Sequence, residues 1–461
     1  MIVREDRPPV AVDETTRWVF PDEPWLLAWS APDERAEERL RRRIGDQLRD
    51  EHPWTLAEIA RQLEEHHDPD HPLRGACVLG GGVPAGRGLE RAPHRVDQRA
   101  PRQVALMFGG HGSQHPMMAA QLYGTEPVFT HAMGELFGPL GADGQRLRAD
   151  WLAGHPVDAA ERGQPLLLAL GYALGRTLQS WGVRPTALLG HSIGEVAAAT
   201  MAGVLSMSDA AALMATRTAS YRYAMPGGLL AVASSTEELA PFLSGDVCVG
   251  VVNGPRQTML AGPEAELRDV ADRLRSAGRT CLPARIPLPF HSPVLQPLAA
   301  VSEAALAKVE LRPPDIDIYS TITARRLTHR EAVDPGFLAA QVWRPVLFAP
   351  ALDALLADQD VLLVEAGPAR ALTALARRHP AVEAGRSAVV AMLPGSAGRR
   401  GADRAAVLET AATLWLEGHQ PHWPAVQHRV RTASPRRRVD STPRWSNGPA
   451  PRVGDISQVP E

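Results

Sequence analysis

Gly190-His191-Ser192-Ile193-Gly194-Glu195 follows an apolar run, Thr186-Ala187-Leu188-Leu189, and leads into an alanine-rich segment, Glu195 to Ala202. A Gly-x-Ser-x-Gly sequence between a strand and a helix predicts a cramped elbow. The serine stands on the turn, and the flanking glycines let backbone pass where a side chain would clash. Its oxygen then points away from the sheet, beside N–H groups at the start of the helix. Such an elbow needs a strand behind it and a helix in front, so it constrains the fold before any other feature does. Taken alone it reads as a nucleophilic serine and nothing more specific.

The chain around it supplies that setting. From residue 103 strand and helix patterns alternate, as in an α/β domain. Val104 to Phe108 reads as a short buried strand ending in a glycine loop, Gly109-Gly110-His111-Gly112-Ser113-Gln114. Pro165 to Trp181 is apolar on nearly all sides and predicts a core helix, and a second helix is expected from about Ser208 to Tyr223. Residues 229 to 286 then break into six pieces: strand Leu229–Ala233, helix Glu237–Leu243, strand Val247–Val252, strand Gln257–Ala261, helix Glu264–Ser276 and strand Cys281–Ile286. That βαββαβ order is a ferredoxin-like unit. It is inserted, because alternation resumes with strands expected at Ile316–Thr321, Val361–Val364 and Ala388–Met392, and a final helix at Arg404–Leu416.

Both flanks read differently. In the first hundred residues, Ser30-Ala31-Pro32-Asp33 and Thr55-Leu56-Ala57-Glu58 are helix-start signals, the second a capping box. Leu40, Ile44 and Leu48, then Leu56, Ile59, Ala60 and Leu63, form apolar stripes. Trp25 to Trp29 is a candidate strand. Residues 80 to 102 are a Gly/Pro/Arg-rich linker, and the Pro/Arg/Ser-rich end is an extended or disordered tail. His66-His67-Asp68-Pro69-Asp70-His71 reads as a helix end and turn, since nothing fixes those side chains in a closed ligand geometry.

Composition excludes several classes. A formal charge of −3 and a pI near 6.6 provide no electrostatic basis for nucleic acid or an anionic membrane as partner. Three cysteines, Cys77, Cys248 and Cys281, are scattered and odd in number, so neither a disulfide framework nor a metal site is expected. The charged start lacks a signal peptide's apolar core, and no apolar stretch is long enough to span a bilayer; a cytoplasmic location is expected. Lys308 is the only lysine beside 48 arginines (49 − 1). A Ser–Lys dyad would have to use it, and Lys308 is expected on an amphipathic helix, so that dyad is set aside.

A serine hydroxyl needs a base. His291, in Leu288-Pro289-Phe290-His291-Ser292-Pro293, follows the last strand of the inserted unit, where a small lobe meets a large one. His191 adjoins the serine but points elsewhere on an elbow, and is expected to pack or bond locally. The N–H of Ile193 and one from the Gly109–Gly112 loop are candidate oxyanion donors. Arg217, 25 residues past Ser192 (217 − 192), can return to the same cleft, and arginine binds carboxylates through two parallel N–H bonds.

These pieces, in this order, resemble the malonyl-CoA:acyl carrier protein acyltransferase family. Phe108 to Gln114 is similar to the family's Phe-Pro-Gly-Gln-Gly-Ser-Gln, and Gly190 to Glu195 to its nucleophile motif. Thr216-Arg217 is similar to its arginine helix. Gly227 to Val232, Asn253-Gly254-Pro255 with Ala261-Gly262, Pro289 to Pro293 and Glu365 to Pro368 fall where counterparts stand. The flanks are similar to the linkers around polyketide-synthase acyltransferases, including Leu414 to Gly418, Trp423 and Arg436-Arg437-Arg438-Val439. With no ketosynthase or carrier domain in the sequence, the chain resembles a free-standing acyltransferase retaining both linkers.

The resemblance implies an α/β fold: an α/β-hydrolase-like large subdomain with an inserted ferredoxin-like small subdomain at about 227–288. The expected units are an α/β linker domain at 1–100, an acyltransferase domain at 101–395, and a helix and tail at 396–461. It implies Ser192 as nucleophile, His291 as base, the main-chain N–H groups of His111 and Ile193 as oxyanion hole, and Arg217 as holder of a malonyl carboxylate. Gln114 and Phe290 would line the substrate, and the Gln341 carbonyl would orient His291. Phe290 and Ile193 lean toward malonyl over methylmalonyl. Malonyl-CoA and the phosphopantetheine thiol of an acyl carrier protein are the implied substrates, in polyketide biosynthesis, with no bound cofactor or metal. Two residues depart from the family pattern: His111 stands for its glutamine and Gly109 for its proline.

Other readings use parts of the same pattern. An acyl-carrier hydrolase that edits stalled chains would share Ser192 and His291 but has no use for Arg217. A scaffold docking through residues 1 to 100 need not keep all three. A general α/β-hydrolase esterase is disfavoured by the inserted unit and by the want of a triad acid.

Overall fold

In the computed structural model, the described residues are 23–49, 56–80, 89, 94–95 and 101–427. Thr55, most of the 80–102 linker, and the tail from 428 with Arg436 to Val439 lie outside them.

Three sheets organise the chain. The first is antiparallel: β1 (Trp25–Ala31), β2 (Leu73–Leu79) and β3 (His94–Arg95). The central sheet contains β4 (Gln103–Phe108) and β5 (Ala187–Gly190). The third consists of β6 (Gly227–Val232), β7 (Cys248–Gly254), β8 (Gln257–Pro263) and β9 (Cys281–Pro283). The central sheet then resumes with β10 (Asp317–Ser320), β11 (Arg325–Arg326), β12 (Val361–Glu365) and β13 (Ala388–Ala391).

The central sheet runs β11-β10-β5-β4-β12-β13, parallel except where β11 turns back on β10. Strands β4, β5 and β12 are buried on both faces, which is why they read as unbroken apolar runs. Helices cover the faces, foremost Ala160–Ser180. That helix starts more than a turn before Pro165; a proline this near the amino end breaks little of the ladder, so the sequence signal placed the start too late.

The inserted sheet, in order β7-β8-β6-β9, is antiparallel and carries Glu264–Ser276, while Thr236–Leu239 runs into a 3₁₀ turn at Ala240–Phe242. This is the ferredoxin-like arrangement on an α/β-hydrolase-like body. Its last strand stops at Pro283 rather than Ile286: Pro283 has no N–H, and after one further bond, Ala284 N–H to the Leu229 carbonyl at 2.8 Å, the chain leaves β6. The freed segment, 284–292, crosses to the large lobe.

The first sheet is sandwiched. Leu26, Ala28, Ala76 and Val78 join the central core, while Leu27, Trp29, Cys77 and Leu79 form a second core with Ile44, Ile59 and Leu63 of helices Glu34–Arg49 and Leu56–His66. On its inner face lies the helix Ala402–Leu416. Its Trp415 Nε1 donates to the carbonyls of Trp29 and Gly75, both at 3.2 Å. Arg74 stacks 3.9 Å over the Trp415 ring and donates to the Trp415 and His419 carbonyls. Asp33 of the 30–33 helix-start signal caps the first helix, accepting from Ala36 N–H at 2.7 Å. One detail differs from expectation: Lys308 lies just past the helix Gln296–Leu306. His66 and His67 bond back to the Gln62 and Glu64 carbonyls, and His67 meets Trp415 edge-on. No helix among the described residues is long and apolar enough to cross a membrane.

Candidate active site

Ser192 stands between β5 and the helix Gly194–Met201 with φ 54°, a left-handed conformation that a side chain adopts only under constraint. The constraint is packing against the loop after β4. His191 N–H donates to the Phe108 carbonyl at 2.9 Å. A Cβ at Gly194 would stand 2.2 Å from that same oxygen, and one at Gly110 would stand 3.2 Å from Ser192 Cβ. The glycines thus let two backbones meet behind the serine. Glu195, one residue on, accepts from Ser320 Oγ at 2.9 Å and from Thr321 N–H and Oγ1 at 2.5 and 3.1 Å. Burial pushes its carboxyl up to about 7 despite those donors.

His291 reaches the elbow from segment 284–292, and is also left-handed, at φ 64°. Its N–H donates to the Val342 carbonyl at 3.0 Å. Its Nδ1–H donates to the Arg344 carbonyl at 2.9 Å, leaving Nε2 to accept from Ser192 Oγ at 2.7 Å. The orienting carbonyl is therefore chiefly that of Arg344 rather than Gln341, whose main chain has only a weaker influence. Burial holds the His291 imidazole down at about 4, with the positive fields of His191 and Arg217 adding to the effect and the Arg344 hydrogen bond opposing it. At neutral pH it is an uncharged acceptor.

Arg217 lies in the last turn of the helix Met207–Ser220 and is 2% exposed. Its Nη1 donates to Gln341 Oε1 at 2.8 Å, and among the described residues nothing accepts from Nε or Nη2. Those two atoms are the parallel-donor edge of a guanidinium, which fits one carboxylate. Burial alone lowers its pKa from the ordinary arginine value. Gln341 Nε2 in turn faces Ser192 Oγ at 3.4 Å. Arg217, Gln341, Ser192 and His291 therefore form one connected group drawn from four separate segments.

His111, Gln114 and Phe290 line a cavity of about 730 Å³ together with Ser192 and His291. Phe290, 5% exposed, packs edge-on to Tyr221 with centroids 5.4 Å apart and sits 6.2 Å from the His111 ring. Gln114 Oε1 accepts from Gly112 N–H at 2.6 Å, so this oxygen braces the glycine loop. The main-chain N–H groups of His111 and Ile193 have no acceptor among the described residues. The His111 ring rests on Gly163, where a Cβ would come within 3.2 Å of it, and faces Asp158. Burial lowers it to about 4, partly offset by Asp158. His191 packs against Phe348 with ring centroids 5.6 Å apart, and beyond that its Nε2 meets Asn253 Oδ1 on β7 at 2.9 Å, tying the elbow to the inserted lobe. A second cavity of about 860 Å³ lies between the lobes and shares Asn253, Gln257, Met259, Leu375 and Arg378 with the first.

Comparison with known proteins places this geometry. A family model described as acyl transferase domain matches residues 106–414. Polyketide synthase GfsB of Streptomyces halstedii is 34% identical over 340 residues, 72% of this chain and 6% of its own length. Mycoketide-CoA synthase of Mycobacterium tuberculosis is 32% identical over 387 residues, 79% of this chain and 9% of that protein. The chain spans less than a quarter of the length of the curated relatives it matches. The acyl transferase domain of SpnD, solved in complex with 2-(pent-4-yn-1-yl)malonyl, superposes with TM-score 0.76 at 27% identity, covering 86% of this chain and 96% of that one. The acyltransferase domain from the second module of the salinomycin polyketide synthase superposes with TM-score 0.67 at 29% identity, covering 87% and 95%.

Proposed function

The chain belongs to the acyl transferase domain family, and from that premise we propose that it moves a malonyl group from coenzyme A to the phosphopantetheine thiol of an acyl carrier protein, in polyketide biosynthesis. The observation that carries this reading is the buried Arg217, whose Nε/Nη2 edge has no partner among the described residues while its Nη1 is linked through Gln341 to Ser192. A carboxylated acyl group satisfies that edge.

The reaction is a two-step exchange. His291 Nε2 takes the Ser192 hydroxyl proton as Oγ bonds to the thioester carbonyl carbon. The oxyanion is received by the N–H groups of His111 and Ile193. As it collapses, the C–S bond breaks and the coenzyme A sulfur leaves with the proton from His291. The carrier thiol then attacks the serine ester by the same path in reverse, restoring Ser192. Phe290 narrows the space beside the acyl α-carbon, which favours malonyl over methylmalonyl. Gln114 keeps the oxyanion loop closed. The cavity shared between the lobes offers the pantetheine arm a route to Ser192. The proposed units are the flanking lobe, built from the first hundred residues and the helix after 395, and the acyltransferase unit at 101–395. The proposed compartment is the reducing cytoplasm.

The test is mass spectrometry of the protein mixed with malonyl-CoA, which should find a malonyl ester on Ser192 and none in Ser192→Ala. Transfer to carrier protein by Ser192→Ala would sink the mechanism. Arg217→Ala should lose preference for malonyl over acetyl; steady thioester hydrolysis without any acceptor would favour an editing hydrolase instead.

A further inference from the structure

A guanidinium has donors only, so the amide face that Gln341 turns to Arg217 must be its oxygen. The 2.8 Å contact from Arg217 Nη1 to Gln341 Oε1 thereby fixes the amide orientation and sends Nε2 the other way, to Ser192 Oγ at 3.4 Å. A serine oxygen that accepts this N–H keeps its own hydrogen free to give. The acceptor within reach is His291 Nε2, at 2.7 Å, because Nδ1 is already committed to the Arg344 carbonyl. Each link in this chain has only one allowed polarity.

From this we infer that the Gln341 side chain is a positioning residue, which carries the directing effect of Arg217 to the nucleophile and points the Ser192 hydroxyl hydrogen at its base. The inference rests on the reading of Ser192 and Arg217 given above, and assigns Arg217 a second task beside holding a carboxylate. The two tasks do not compete. Substrate takes the Nε/Nη2 edge, which the described residues leave open, and Gln341 takes Nη1. The support is local. Gln341 is buried in the 3₁₀ turn Ala340–Val342. That same turn and the residues just after it supply the Val342 carbonyl for the His291 N–H and the Arg344 carbonyl for its ring. One short segment therefore positions both members of the Ser192–His291 pair.

Two substitutions separate positioning from packing. Gln341→Met fills the same space and neither accepts from Arg217 nor donates to Ser192. Gln341→Glu keeps the shape and the Arg217 contact but offers Ser192 an acceptor, which draws its hydrogen off the base. The readouts are the rate of Ser192 labelling by a fluorophosphonate and the kcat and KM for malonyl transfer by the full chain, with melting curves alongside. Expected labelling and kcat fall roughly 10-fold in Gln341→Met and roughly 100-fold in Gln341→Glu, neither exceeding the roughly 10²–10⁴ that general-base assistance is worth. KM for malonyl-CoA stays unchanged in Gln341→Met, since the carboxylate edge is intact. A packing role predicts the reverse order, with the isosteric glutamate nearer wild type. Labelling of Gln341→Met at the wild-type rate, a glutamate variant faster than the methionine one, or a rise in KM alone would each overturn the inference. Fluorophosphonate reacts with an activated serine whatever acyl group the protein moves. Normal wild-type labelling without malonyl transfer would therefore count against the function and leave the relay standing.

Discussion

Ser192 and His291 are both held at positive φ, 54° and 64°, where neither residue type rests comfortably. Strain of about 1–3 kcal/mol at each is offset by the packing around them and fixes the 2.7 Å contact before substrate arrives. Because burial holds His291 at about 4, it is the neutral, proton-accepting form that persists over the physiological range, and it is lost only as the pH falls through that value. The acid limb of kcat/KM for acyl transfer should therefore lie near 4, well below that of an exposed histidine; a limb near 6.5 would contradict the burial argument. Phe290 makes a second residue-scale prediction. Phe290→Ser should raise methylmalonyl turnover relative to malonyl by roughly 10-fold or more, since one methyl in an apolar pocket is worth about 1–3 kcal/mol. Competition between the two thioesters, read by mass spectrometry of the loaded carrier, measures it. Ser192, His291 and Arg217 were legible in the sequence because hydroxyl, imidazole and guanidinium each announce a chemistry. The Arg344 carbonyl was not, since every residue has one. The Arg217–Gln341 contact joins positions 124 residues apart, and no local pattern could reveal it.

At the scale of elements, the elbow is a joint between two backbones rather than a property of the serine. The Phe108 carbonyl accepts from His191 N–H and lies where a Cβ at 194 would fall, at 2.2 Å. Gly194→Ala should thus force strand β4 and the following helix apart, lowering the melting temperature and removing fluorophosphonate labelling together. Retention of either at the wild-type level would show that the joint can yield. Most elements were readable because buried parallel strands are apolar runs and the inserted lobe alternates cleanly. The misplaced edges have proline in common. Pro165 sits inside a helix that the pattern began there, while Pro283, which has no N–H, ends a strand that hydrophobicity alone would extend. Strand β2 went unread. Gly75 sits in the middle of it because the Trp29 ring lies against that backbone, with a Cβ there only 2.1 Å from the ring, and that contact is tertiary.

At the scale of the whole molecule, the flanks are structural partners of each other. Strands β1 and β2 feed one core with their odd-numbered side chains and another with their even-numbered ones, and Trp415 from the far end of the described chain is buried between them. Gln427 Nε2 adds a bond to the Leu26 carbonyl at 2.8 Å. Trp415→Ala should cost about 3–5 kcal/mol, as for other buried aromatic truncations, and should appear in denaturant melts as a lower midpoint. The Ser192–His291 contact lies in another part of the structure, so labelling of the still-folded fraction should be unchanged. The alternation of β1 is visible in sequence only once its two cores are known, because Trp25 to Trp29 reads as an unbroken apolar run. The Arg74–Trp415 clasp also decides how this chemistry can be transplanted. A graft trimmed to the catalytic lobe would carry half of an interface whose other half stayed behind, so an exchange must keep β1, β2, Trp415 and Gln427 on one piece.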